Sequence, residues 1–63
     1  MKVKVNEEAR QKTNLYTYDL VENKLYEVVC KEKMLKTLDA YRIVDESGED
    51  YLYPASLFDI AEE

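Results

Sequence analysis

The sequence predicts an all-β domain in which five short strands curl into a small barrel with a long first loop. Three observations carry this expectation. Apolar and polar residues alternate over short runs, and no apolar stripe would anchor a long helix. Gly48 and Pro54 punctuate the last third as a tight hairpin and a strand end. The 63 residues are one domain at most. A flat sheet this small would leave its apolar face wet, so the strands must bend around it.

Each element follows in order. Lys2-Val3-Lys4-Val5 alternates, placing Val3 and Val5 on one face of a half-buried strand. Asn6 is a good N-cap and Glu7-Glu8 suit a first turn, so one short helical turn is expected before Thr13. Asn14 to Asn23 is mixed, with Tyr16 and Tyr18 on one side if the chain is extended. Leu25-Tyr26-Glu27-Val28-Val29-Cys30 is rich in β-formers and reads as a strand with Val28 in the core. Lys31 to Asp39 stays open between a loop and a helical turn, because Met34, Leu35 and Leu38 fall at helical spacings. Tyr41-Arg42-Ile43-Val44 is a strand, and Asp45 to Asp50 turns through Gly48. Tyr51-Leu52-Tyr53 returns to Pro54, Ala55-Ser56-Leu57 makes one tight turn, and Phe58 to Ile60 is a last short strand. Ala61-Glu62-Glu63 is expected to fray.

This ordering resembles the SH3-like barrel family. SH3 domains carry a hairpin glycine six residues before a proline, then a 3₁₀ turn and a final strand. Gly48 lies six residues before Pro54 here, and Ala55-Ser56-Leu57-Phe58 follows. The resemblance implies a five-stranded SH3-like barrel with a 3₁₀ turn before the last strand. Leu25 to Cys30 would be the second strand, Lys31 to Asp39 the n-Src loop, and residues 6–24 the long RT loop. It covers residues 24–62, and the first third matches by length alone. Leu15-Tyr16-Thr17-Tyr18 looks like the Ala-Leu-Tyr-Asp-Tyr signature of such domains. That register would shrink the RT loop before Leu25 to about six residues, so the overlap is set aside. The phrase from Asp45 to Phe58 also resembles small uncharacterised bacterial or phage proteins.

Function carries over poorly. SH3 domains grip polyproline helices between stacked aromatics. The tryptophan position falls on Asp39 here, and the tyrosine of the 3₁₀ turn falls on Leu57. Pro54 matches, and Leu52 sits where another contact tyrosine often lies. The resemblance therefore implies the barrel without the usual polyproline groove.

The remaining chemistry is excluded piece by piece. Histidine is absent, which removes the commonest general base and metal ligand. Cys30 is the one cysteine, so no intrachain disulfide forms. Its neighbours Val28 and Val29 lead one to expect a buried, inert thiol. One glycine cannot build a phosphate-cradling loop. Asp45, Glu46, Glu49 and Asp50 cluster at the hairpin tip but lack the spacing of a calcium loop, so they read as a solvated turn. No cofactor, metal or catalytic activity is expected. No apolar run reaches membrane-span length and no secretory signal is seen. With a lone thiol this points to a cytoplasmic protein.

Charge and tyrosine content direct the functional expectation. The net charge is −5, with residues 1–36 at +2 and residues 37–63 at −7. An acidic second half argues against gripping a phosphate backbone. Six tyrosines exceed what so thin a core can bury, and tyrosine is enriched at interface hot spots. The expectation is a protein-interaction module that docks an unidentified partner through Tyr16, Tyr18, Tyr51, Leu52 and Pro54. The alternatives are a nucleic-acid-associated accessory using Lys2, Lys4, Arg10, Lys12, Lys31, Lys33 and Lys36, or an acidic inhibitor that mimics nucleic acid.

Overall fold

Asn6 ends the first strand and begins the one helix. In the computed structural model, which describes residues 1–63, β1 (Lys2–Val5) exposes its lysines and buries its valines. Asn6 Oδ1 accepts the Ala9 N–H at 2.9 Å and so caps α1 (Glu7–Lys12). Glu7 and Glu8 in the first turn and Arg10 and Lys12 in the last complement the helix dipole. Residues 13–25 then form a long irregular connection. Arg10 pins it, its Nη2 donating to the Leu20 carbonyl at 2.7 Å, while the Leu20 side chain enters the core. The rest is β2 (Tyr26–Met34), β3 (Leu38–Val44), β4 (Asp50–Pro54), a 3₁₀ turn (Ala55–Leu57) and β5 (Phe58–Glu62).

The five strands form one antiparallel sheet in the order β4-β3-β2-β1-β5. Strand β2 serves both halves. Tyr26 and Glu27 pair with β1, and Val28 to Met34 pair with β3. A bulge between Val28 and Cys30 separates the two, and bulges bend the strand that carries them. The bend brings the sheet's edges toward each other. Tyr53 of β4 meets Phe58 of β5 edge to face, with ring centres 6.0 Å apart, and Tyr41 of β3 lies 6.1 Å from the same ring. Hydrogen bonds do not join β4 to β5, so the sheet is open and its core is closed by side chains. The fold is thus all-β, one curled antiparallel sheet whose two edge strands are not hydrogen-bonded to each other.

Every strand contributes to the core. Val3, Val5, Tyr26, Ile43, Tyr53 and Phe58 come from β1 to β5, and Leu20 and Leu57 fill in from the long connection and the 3₁₀ turn. Val28 and Tyr41 pack against them half-buried. Burying each large apolar side chain contributes about 1.5–3 kcal/mol before the entropy of ordering is counted.

Four expectations change. Lys31 to Asp39 is neither loop nor helical turn: β2 runs on to Met34, β3 starts at Leu38, and only three residues turn between them. Cross-strand ion pairs, Arg42 with Glu32 and Lys33 with Asp39, hold the two arms together. The helical spacing of Met34, Leu35 and Leu38 reflects the hairpin turn. Cys30 is exposed, because it lies beyond the bulge, where β2 has left the core. Its thiol is held up in pKa by the carboxylate of Glu32, at 3.1 Å. Asp45 is buried at 5% exposure and does not lie in a solvated tip. Residues 61 and 62 stay in β5, because Lys2 pairs with Glu62.

Candidate functional site

The long connection could not pack flat against the sheet. Its apolar residues are scattered among polar ones, and only Thr17 and Leu20 turn fully inward. Leu15 and Tyr16 are left facing the sheet across a groove of about 340 Å³. The groove is lined by Leu15, Tyr16 and Asp19 from the connection, by Met34 at the end of β2, by Asp45, and by Tyr51, Leu52 and Tyr53 of β4. No lysine or arginine lines it.

The residues singled out in the sequence divide as follows. Tyr16, Tyr51 and Leu52 meet in the groove, with Tyr16 65% and Tyr51 47% exposed. Tyr18 does not line it. It stands 86% exposed beside it, its ring edge to face with Tyr16 at 5.1 Å. Pro54 lies in a separate shallow depression with Ala9, Lys12, Thr13, Ser56 and Leu57, on the α1 side of β4. Leu15, Asp19, Met34, Asp45 and Tyr53 are groove residues that the sequence reading did not single out. One signal was available for Asp45. Asp-x-Ser favours a side chain that folds back onto its own turn, and Asp45 Oδ1 accepts both the Ser47 N–H at 3.0 Å and the Ser47 hydroxyl at 2.5 Å.

The floor of the groove is a hydrogen-bonded polar layer. The Tyr53 hydroxyl donates to Asp45 Oδ2 at 2.5 Å. Burial works to raise the Asp45 pKa, but the donors from Ser47 and Tyr53 outweigh it and hold the carboxyl below its ordinary value. Burial, together with that charged acceptor, pushes the Tyr53 hydroxyl well above the ordinary tyrosine range. Glu46 accepts from Lys24 Nζ at 2.5 Å and from the Tyr26 hydroxyl at 2.9 Å, which keeps its carboxyl low. The Tyr26 oxygen in turn accepts the Val21 N–H at 2.7 Å. Backbone joins the same parts, the Glu46 N–H donating to the Asp19 carbonyl at 2.8 Å. The hairpin therefore fastens the long connection and fixes the groove's width.

The four hairpin acids have different partners. Asp45 serves Tyr53 and Ser47, Glu46 serves Lys24 and Tyr26, Glu49 accepts the Tyr51 hydroxyl at 3.0 Å, and Asp50 faces Arg42 at 3.6 Å. Five of the seven basic residues named above are interleaved with acids. Lys12 pairs with Glu8, Arg10 with Glu7, and Lys33 with Asp39. Lys2 stands across from Glu27 on one side and Glu62 on the other, and Lys4 opposite Asp59. No helix is long and apolar enough to cross a membrane.

Comparison with protein-family models, with curated proteins and with solved structures gave no match. The groove therefore has to be interpreted from its own chemistry, which is apolar contact, exposed tyrosine faces and carboxylates.

Proposed function

We propose that this protein is a small SH3-like barrel acting as a protein-interaction module, and that it docks its partner in the groove between the long connection and β4. One observation carries the reading. Tyr16, Tyr51, Leu52, Leu15 and Met34 converge from three distant parts of the chain on one concave surface and stay open to solvent there. A domain with so small a core gains stability by burying such side chains, and large apolar groups left together at the surface mark an interaction site. Two features support the barrel: the first and last strands pair beside β2, and a 3₁₀ turn leads into the last strand. The interleaving of Lys2, Lys4, Lys12 and Lys33 with carboxylates favours a protein partner over a phosphate backbone. An exposed free thiol at Cys30 suits a reducing compartment such as the cytoplasm.

The test is affinity capture from native lysate, with and without nuclease treatment, using wild-type protein, Tyr51→Ala and Lys2→Ala. The expected result is a protein that wild type and Lys2→Ala retain and Tyr51→Ala releases. A hot-spot tyrosine is worth about 2 kcal/mol, or roughly thirtyfold in affinity. Partners held equally by all three forms, or lost on nuclease treatment, would refute the groove as the docking surface.

A further inference from the structure

The groove has an uncompensated charge. Asp19 and Asp45 line it and Glu49 holds the hydroxyl of Tyr51 at its rim, yet none of the three forms an ion pair with a lysine or arginine of the chain. The neighbouring acids are paired: Glu46 has Lys24, and Asp50 and Glu32 share Arg42. Asp19 is half-buried among apolar groups, and its carboxylate has no side-chain partner of either kind. The other polar groups facing this space are the hydroxyls of Tyr16, Tyr51 and Tyr53, and those of Tyr51 and Tyr53 already donate to Glu49 and Asp45. An apolar wall strengthens any attraction between a carboxylate and an incoming charge, because less water screens it. Tyrosine faces add attraction for a cation and for nothing else that carries charge.

We infer that the groove receives a lysine or arginine side chain of the partner protein, its apolar stem along Leu15, Met34 and Leu52 and its charged head toward Asp19. This rests on the docking reading above and adds the chemistry of the occupant. Both long cationic side chains bury their methylene stems on apolar surface while the head stays polar, which is the distribution the groove offers.

Three peptides test it: acetyl-Leu-Lys-Leu-amide, the same peptide with uncharged norleucine in place of lysine, and the same with glutamate. Each is titrated to millimolar concentration into labelled protein at low ionic strength, and the backbone amide signals of Tyr16, Tyr51 and Leu52 are followed. The lysine peptide should bind roughly fivefold tighter than its norleucine counterpart, as one partly screened charge pair requires. That preference should vanish in Asp19→Asn and survive in Lys2→Gln. Asp19→Asn keeps the backbone carbonyl that Glu46 uses, so the fold tolerates it. Equal binding of the lysine and norleucine peptides, or tighter binding of the glutamate one, would overturn the cation assignment and leave the docking groove standing. No movement of the groove amides with any peptide would overturn both.

Discussion

Asp45 shows how one side chain sets both stability and site geometry. Its carboxylate is buried, and three protein donors keep it ionised. Tyr53→Phe leaves the ring in place and removes one donor, at a cost of about 1–3 kcal/mol. The pH dependence has a definite sign. Asp45 is held below its ordinary value of 3.8 in the folded protein, so its contribution is complete above that value. It is lost as pH falls through the lower, folded value. Removing the Tyr53 donor moves the folded value back up, so acid unfolding of Tyr53→Phe should begin at a higher pH than in wild type. Circular dichroism across the acid range checks this, and superimposable acid limbs would refute it. Asn6 is the second residue of this kind, joining α1 to β5 by accepting from Ala9 and donating to Asp59 at 3.1 Å. Asn6→Ala should cost about 1 kcal/mol in urea unfolding, and Asn6→Asp should recover the cap while facing Asp59 as a like charge.

Among the elements, the β2–β3 hairpin is held in an unfavourable backbone shape. Leu35 and Lys36 have φ of 48° and 71°, a region that L-residues enter at about 1–2 kcal/mol each. Turns with two such residues favour Asn-Gly. The double change Leu35→Asn with Lys36→Gly should therefore stabilise the protein by about 1–2 kcal/mol, seen as a higher urea midpoint at unchanged slope. The same turn explains why this segment was hard to read. Its residue types give no turn signal, and Met34, Leu35 and Leu38 imitate a helical face. Where turn chemistry was explicit, at Asn6, Gly48 and Pro54, the sequence placed elements within a residue or two. Gly48, at φ 84°, closes its hairpin by donating to the Asp45 carbonyl at 3.0 Å. The bulge in β2 leaves no mark in composition, and with it went the exposure of Cys30.

At the scale of the whole molecule the margin is narrow. The stability of a chain of this size is the small difference between large opposing terms, of the order of 3–9 kcal/mol in total. Ile43 is fully buried at the centre of the core, and Ile43→Ala should remove about 2–5 kcal/mol of that. The expected outcome is a protein largely unfolded at 37 °C, read as loss of dispersed amide signals. Three of the five residues assigned to docking, Tyr16, Tyr51 and Leu52, meet in one groove; the two tyrosines were legible because tyrosine excess can be counted in a sequence, and Leu52 through its place before Pro54. The rest of the groove could not be counted. Leu15, Asp19 and Met34 are ordinary residues until the long connection and the β2–β3 hairpin bring them opposite one another. The β1–β5 pairing sets Lys2 beside Glu62, so the two ends of the chain leave the sheet side by side. A force that draws those ends apart would break the β1–β5 hydrogen bonds one after another, as in opening a zip, and could never load them all together. Tethered by its ends under tension, this protein would give way at low force, whatever its resistance to heat or urea.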